Sequence, residues 1–105
     1  MTNPTSNKVA LVTGASSGIG AIYADRLAAR GYDLVLVARR ADRLEALCAQ
    51  VSKAHGTKAE PIVADLTKDQ DLARIETVLS TNKDLRVLVN NAGVARLAPA
   101  AQMSA

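Results

Sequence analysis

Aromatic residues are almost missing from this 105-residue chain, which has no Phe, no Trp and only Tyr23 and Tyr32. A core must therefore be assembled from Val, Leu, Ile and Ala, which suits a parallel sheet covered by helices on both faces. The same scarcity leaves no aromatic platforms for stacking nucleic-acid bases. Cys48 is the one cysteine, so an internal disulfide and a cysteine metal cluster are excluded, and a small core residue is its expected role. No apolar run approaches the ~20 residues that span a membrane, and the polar stretch from Met1 to Lys8 lacks the apolar segment of a secretory signal. A cytoplasmic location is expected, with no membrane and no nucleic acid as partners. The formal charge is +3 and the pI about 9.4, yet thirteen Lys and Arg are scattered among ten acids with no basic run. Most of these charges read as solvated helix faces.

What is present alternates. Apolar runs of strand length give way to helical patterns, and each change of period falls at Gly, Pro, Asp or Asn, in the order βαβαβαβ. Strands are expected at Val9 to Thr13, Asp33 to Ala38, about Lys58 to Ala64, and Arg86 to Asn90. Helices are expected from Gly18 to about Arg30, with Ile19, Tyr23 and Leu27 on one side and Gly31 as the stop; through Leu44, Leu47, Cys48 and Val51; and from a capping box of Thr67 and Gln70 into an inward face of Leu72, Ile75, Val78 and Leu79. Pro61 argues for an edge position of the third strand. His55, before Gly56, reads as a C-terminal cap with no partner for metal or proton chemistry. Residues 1–7 read as a flexible segment, 8–93 as one domain, and 94–105 as an Ala-rich loop or the start of an unfinished helix. Right-handed crossovers give an open α/β, Rossmann-like doubly wound parallel sheet in the order 3-2-1-4. Its ligand crevice lies where the carboxyl ends of the first and fourth strands bring Gly14 and Asn90 together.

Thr13-Gly14-Ala15-Ser16-Ser17-Gly18-Ile19-Gly20 joins the first strand to the first helix. Glycines there let the backbone turn sharply and come close to a ligand, and amide groups at a helix start face an anion, so a dinucleotide pyrophosphate is the expected ligand. The spacing is neither G-x-G-x-x-G nor the G-x-x-x-x-G-K-[ST] of nucleotide triphosphatases. Together with Asp65-Leu66 after the third strand and Asn90-Asn91-Ala92-Gly93 after the fourth, it resembles the short-chain dehydrogenase/reductase family, from Lys8 to Gly93.

That resemblance implies a set of roles. Gly14 permits the turn, Gly18 and Gly20 allow approach to the pyrophosphate, Ser16 and Ser17 bond phosphate or ribose oxygens, and Ile19 lies against the nicotinamide-side ribose. Asp65 bonds the adenine amino group with Leu66 lining the same pocket; Asn90 steadies the sheet; and Asn91, Ala92 and Gly93 form a wall beside the adenosine ribose. At the end of the second strand, Ala38 offers no carboxylate to a ribose 2′-hydroxyl, while Arg39, with Arg40 beside it, can pair with a 2′-phosphate. NADP is thereby favoured over NAD. The family reduces carbonyls with an Asn, a Ser and a Tyr-x-x-x-Lys pair; neither tyrosine here is followed by Lys four residues on, so no catalytic residue and no metal ligand is assigned. The expectation is an NADP(H)-binding N-terminal portion of an oxidoreductase acting on alcohols or carbonyls, truncated after the fourth strand, incomplete as a catalyst and prone to self-association. The alternatives are a stand-alone dinucleotide-binding module or an inactive structural fragment.

Overall fold

Four short strands rich in Val and Leu set the architecture: β1 (Val9–Thr13), β2 (Asp33–Ala38), β3 (Ala59–Val63) and β4 (Leu85–Asn90). They alternate with α1 (Gly18–Ala29), α2 (Ala41–His55) and α3 (Asp69–Thr81). The computed structural model describes residues 8–92; Gly93 and the segments 1–7 and 94–105 lie outside the described residues. All strands run parallel in the order β3-β2-β1-β4, the order expected of the usual doubly wound sheet.

Alternation along the strands feeds two cores. Ala10, Val12, Leu34, Leu36 and Ala38 pack with Ala24, Ala28, Leu44, Cys48 and Val51 of α1 and α2. Leu11, Val35 and Val37, from the opposite face, pack with Leu72 and Ile75 of α3. Because β1 and β2 are covered on both sides, they need apolar residues at consecutive positions, which is why they read as continuous runs. Burial also raises the pKa of the Cys48 thiol, with the Glu45 carboxylate pushing the same way. Pro61, on β3, stands opposite Leu36; β3 has β2 as its one sheet neighbour among the described residues, an edge position that tolerates a proline.

Three expectations are corrected. Ile19, Tyr23 and Leu27 do share one side of α1, but the buried stripe is Gly20, Ala24 and Ala28, one position beyond them, and Ile19 and Tyr23 are 62% and 46% exposed. At Gly20 the small residue is required because the start of α1 rests directly on the turn before it: a Cβ there would overlap the Gly14 carbonyl oxygen and lie 2.9 Å from the Gly14 carbonyl carbon. The Thr67–Gln70 capping box does not form. α3 starts at Asp69, after an N-cap Lys68 without a side-chain cap, and Thr67 turns back to Asp65 instead. His55 does have a partner, since its Nε2 lies 2.7 Å from Asp25 Oδ1 and joins α2 to α1. The left-handed Gly56, at φ 71°, ends α2 behind it.

Candidate functional site

The carboxyl ends of β1, β2 and β3 open into a cleft of about 590 Å³. Its first wall is the turn after β1. Gly14 takes φ +65°, and a Cβ there would come within 3.1 Å of Asn91 Nδ2 and 3.2 Å of the Ala92 amide nitrogen. Glycine is thus required both by conformation and by the approach of the chain leaving β4.

Hydrogen bonds lock this turn to the end of β4. Thr13, fully buried at 0% exposure, donates its hydroxyl to Asn90 Oδ1 at 3.0 Å and accepts the Ala92 amide at 3.1 Å. Asn91 Nδ2 donates to the Gly14 carbonyl at 3.2 Å and to Ser17 Oγ at 2.9 Å. Ser17 Oγ donates to the Gly14 carbonyl at 2.8 Å and accepts from the Gly20 amide at 3.4 Å, capping α1. The Ala15 amide reaches across to the Val37 carbonyl at 3.1 Å, tying the turn to β2 as well.

This network divides the roles of the anticipated residues. Ser17 and Asn91 touch the cleft but spend their polar atoms on its construction. Ser16 also lines it, and its hydroxyl makes no hydrogen bond among the described residues. Gly18 has open space where a Cβ would stand. Gly18, Ile19 and Gly20 are not part of the cleft lining; Gly20 instead seats α1 on the turn.

The second wall combines Val37 and Ala38 of β2, Arg39, Arg40 and Arg43 at the start of α2, and Ala64, Asp65, Leu66 and Thr67 after β3. Asp65 Oδ1 accepts both the Thr67 hydroxyl at 2.6 Å and the Thr67 amide at 3.0 Å. These bonds hold its carboxyl below the ordinary carboxylate range, with Arg39 and Lys68 acting in the same direction. Arg40 Nε lies 3.7 Å from Asp42 Oδ1 in an exposed pair.

Sequence reasoning brought together Gly14, Ser16, Ser17, Ala38, Arg39, Arg40, Asp65, Leu66, Asn91 and Ala92, all of which line one cleft. It missed Val37, Arg43, Ala64 and Thr67 as lining residues. The signal for Arg43 was its position one helical turn after Arg39 and Arg40. Among the described residues no group of three or more His, Cys, Asp or Glu could hold a metal ion, and no helix is long and apolar enough to cross a membrane.

Comparison with known proteins agrees with this geometry. The family model described as short chain dehydrogenase matches residues 8–105. Farnesol dehydrogenase of Aedes aegypti is 41% identical over 90 residues, which cover 85% of this chain and 37% of that protein. Among solved structures, a short-chain dehydrogenase from Sphingobium yanoikuyae in complex with NADPH superposes with a TM-score of 0.80 at 51% identity, covering 84% of this chain and 35% of that one. The bulky-bulky ketone specific alcohol dehydrogenase from Comamonas testosteroni gives a TM-score of 0.81 at 45% identity, covering 85% and 36%. The chain spans about a quarter to a little over a third of the length of the curated relatives it matches. On the family match, the strand order and the glycine turn together, the chain belongs to the short-chain dehydrogenase family.

Proposed function

We propose that the cleft binds NADP(H), and that the chain is the cofactor-binding portion of an oxidoreductase acting on alcohol or carbonyl groups. The observation that carries this reading is the end of β2. Ala38 stands there, 6% exposed and without a carboxylate, while Arg39, Arg40 and Arg43 line the adjoining wall. Arg40 is offset by Asp42; Arg39 and Arg43 beside the positive end of a helix remain unfavourable unless a further anion offsets them, and a 2′-phosphate is the anion that separates NADP from NAD. The NADPH complex of the Sphingobium relative supports the same choice.

The residues present fit the cofactor. The pyrophosphate would lie over the Gly14 turn, near the free hydroxyl of Ser16, and the adenine between Asp65, Leu66 and Ala38. Asp65 offers its second carboxylate oxygen, since Oδ1 is engaged with Thr67. Asn91 and Ala92 would flank the adenosine ribose. When bound, the nicotinamide supplies or accepts a hydride; the chain's part is to hold and orient it. Proton transfer to substrate is assigned to no residue of this sequence.

Fluorescence titration with NADPH and NADH tests the reading. NADPH should bind more tightly, and Arg39→Ala should weaken NADPH by about tenfold or more while leaving NADH unchanged, as expected for losing a charge-assisted phosphate contact. Equal affinities for the two cofactors in the unsubstituted chain would overturn it.

A further inference from the structure

The chain leaves β3 through Asp65, whose polar atoms are nearly all engaged within the protein. Its carbonyl accepts the Lys68 amide at 2.9 Å, and Oδ1 accepts the hydroxyl and the amide of Thr67. One residue earlier the Ala64 amide still reaches β2, at the Ala38 carbonyl 3.0 Å away. The Asp65 amide instead turns from β2 to α3, where it donates to Asp71 Oδ2 at 2.7 Å. Asp71 lies in the first turn of α3, is partly buried, and does not itself line the cleft. Arg74 Nη1 donates to Asp71 Oδ1 and to the Val63 carbonyl, each at 3.5 Å, which ties that carboxylate to the end of β3. The core asks nothing of Asp71, since α3 buries Leu72 and Ile75. An acid is favoured at any helix start, but that preference does not account for an oxygen turned back onto an amide outside the helix.

Resting on the dinucleotide placement proposed above, we infer that Asp71 is a positioning residue for adenine recognition: by holding the Asp65 backbone it keeps the second carboxylate oxygen of Asp65 in one place before the base. Recognition through a single oxygen requires that both the side chain and the backbone carrying it be stopped. Thr67 stops the side chain through Oδ1, and Asp71 stops the backbone through the amide. Adenine offers an amino donor to such an oxygen. Hypoxanthine carries a carbonyl acceptor at the same position, which a carboxylate repels. A well-placed oxygen separates these two bases, and a displaced one does not, because a site built to hydrogen-bond one group rejects the analogue that lacks it.

The test is equilibrium binding of NADPH and of its hypoxanthine analogue, deamino-NADPH, to the full 105-residue chain and to Asp71→Ala, Asp71→Asn and Asp71→Glu, with urea unfolding and amide hydrogen exchange of each. The parent should favour NADPH by about tenfold, as for one charge-assisted hydrogen bond at an open site. In Asp71→Ala that preference should fall by roughly threefold or more, and the Asp65 amide should exchange faster. Asp71→Asn keeps an acceptor oxygen within reach of the amide and should restore most of both, although it removes the charge that the helix start favours. A purely structural part for Asp71 would instead lower the urea midpoint and weaken both dinucleotides equally. The inference is overturned if Asp71→Ala keeps the parent's preference, or if Asp71→Asn loses as much of it as Asp71→Ala. Should Asp71→Ala not fold, Asp71→Glu decides: it keeps the charge but carries the carboxylate one methylene further, and an undiminished preference overturns the inference. A parent that binds NADPH and deamino-NADPH equally overturns it too, while an NADPH advantage over NADH in the same chain leaves the cofactor reading standing. Equal binding of NADPH and NADH overturns that reading, yet both carry adenine, so the base comparison still decides the role of Asp71. A chain that binds no dinucleotide overturns both.

Discussion

Two depressions of similar size lie on the molecule, and they are built on opposite principles. The cleft at the carboxyl ends of β1, β2 and β3 measures about 590 Å³; the groove between α1 and β4 measures about 630 Å³. The cleft is shaped by backbone turns whose polar groups are mutually satisfied through Thr13, Ser17, Asn90 and Asn91. Its remaining functional groups are the arginines, the Ser16 hydroxyl and the second carboxylate oxygen of Asp65. The groove is floored by Ile19, Ile22, Tyr23, Leu27, Val87 and Val89, with Arg26 and Arg30 at its rim. Large apolar side chains stand outward there because α1 buries only Gly20, Ala24 and Ala28. The contact that shapes the cleft, α1 seated on its own turn at Gly20, thus goes with leaving Ile19, Ile22 and Tyr23 exposed beside β4 rather than buried over β1 and β2.

Breaking that shared contact should give the largest effect. In Gly20→Ala the new Cβ meets the Gly14 carbonyl and the Ala15 Cα at 3.0 Å, all of it backbone, so no side chain can move aside. We expect a destabilisation of about 3 kcal/mol or more, at the upper end of overpacking costs, and loss of cofactor binding with it. Gly18→Ala is the control. A Cβ there meets nothing within 4 Å, and stability should stay within about 1 kcal/mol of the parent. Gly18→Val should fold as well but lose NADPH affinity if the pyrophosphate passes over that position. Urea denaturation followed by titration reads both quantities. A Gly20→Ala chain as stable as the parent would mean that α1 does not rest on the turn.

Those two glycines also show how far the chain could be read from its sequence. β1, β2 and the face of α2 were legible because their large apolar residues are the buried ones: Leu11, Leu36, Leu44 and Val51 are each at most 2% exposed. The parallel order followed from the crossover rule and is the order found. Periodicity failed on α1 because it weighs size. It selected Ile19 and Tyr23, whereas close seating on Gly14 admits only residues without bulk. It failed again at α3, where Thr67 has the right identity to cap a helix but the Asp65 carboxylate captures its hydroxyl first. Within the cleft, the residues before each turn were legible from motif and strand ends. Arg43 was not, because its one signal, a position one turn after Arg40, points to the cleft only once β2 and α2 are placed side by side.

The groove offers a smaller effect in stability and a clearer one in solution behaviour. Ile22 and Tyr23 are 56% and 46% exposed, and β4 has β1 as its one sheet neighbour among the described residues. Apolar surface beside an open strand edge favours association between chains, and we propose self-association of the 105-residue chain through this side. Ile22→Gln with Tyr23→Gln should shift its size distribution toward monomer while changing stability by less than about 1 kcal/mol, as surface substitutions do. NADPH affinity should not move, since neither residue lines the cleft. Light scattering and titration on the same samples check this. Unfolding of the double variant would show that the groove belongs to the core, and the contrast between the two depressions would fail.

The smallest effect belongs to the pH response of the cleft, which the apolar floor of the groove has no means to share. Asp65 has its pKa lowered chiefly by the Thr67 hydroxyl and then by the Thr67 amide, against a weaker opposing push from desolvation, and with Arg39 and Lys68 adding to the lowering. A carboxyl whose folded pKa lies below its unfolded value adds stability that is present above the ordinary carboxylate value, near 3.8 here, and is lost as pH falls through the lowered folded value. The contribution is therefore complete at neutral pH and disappears only in acid, below pH about 4. Asp65→Asn should make the acid limb of a stability-against-pH curve slightly shallower without altering its plateau shape. Thr67→Val deletes the largest cause and should move the Asp65 titration back toward the ordinary carboxylate value, as followed by carboxyl carbon NMR. If the Asp65 titration in Thr67→Val coincides with that of the parent, the hydroxyl is not what sets it, and the Thr67 amide with the neighbouring Arg39 and Lys68 would carry the lowering instead.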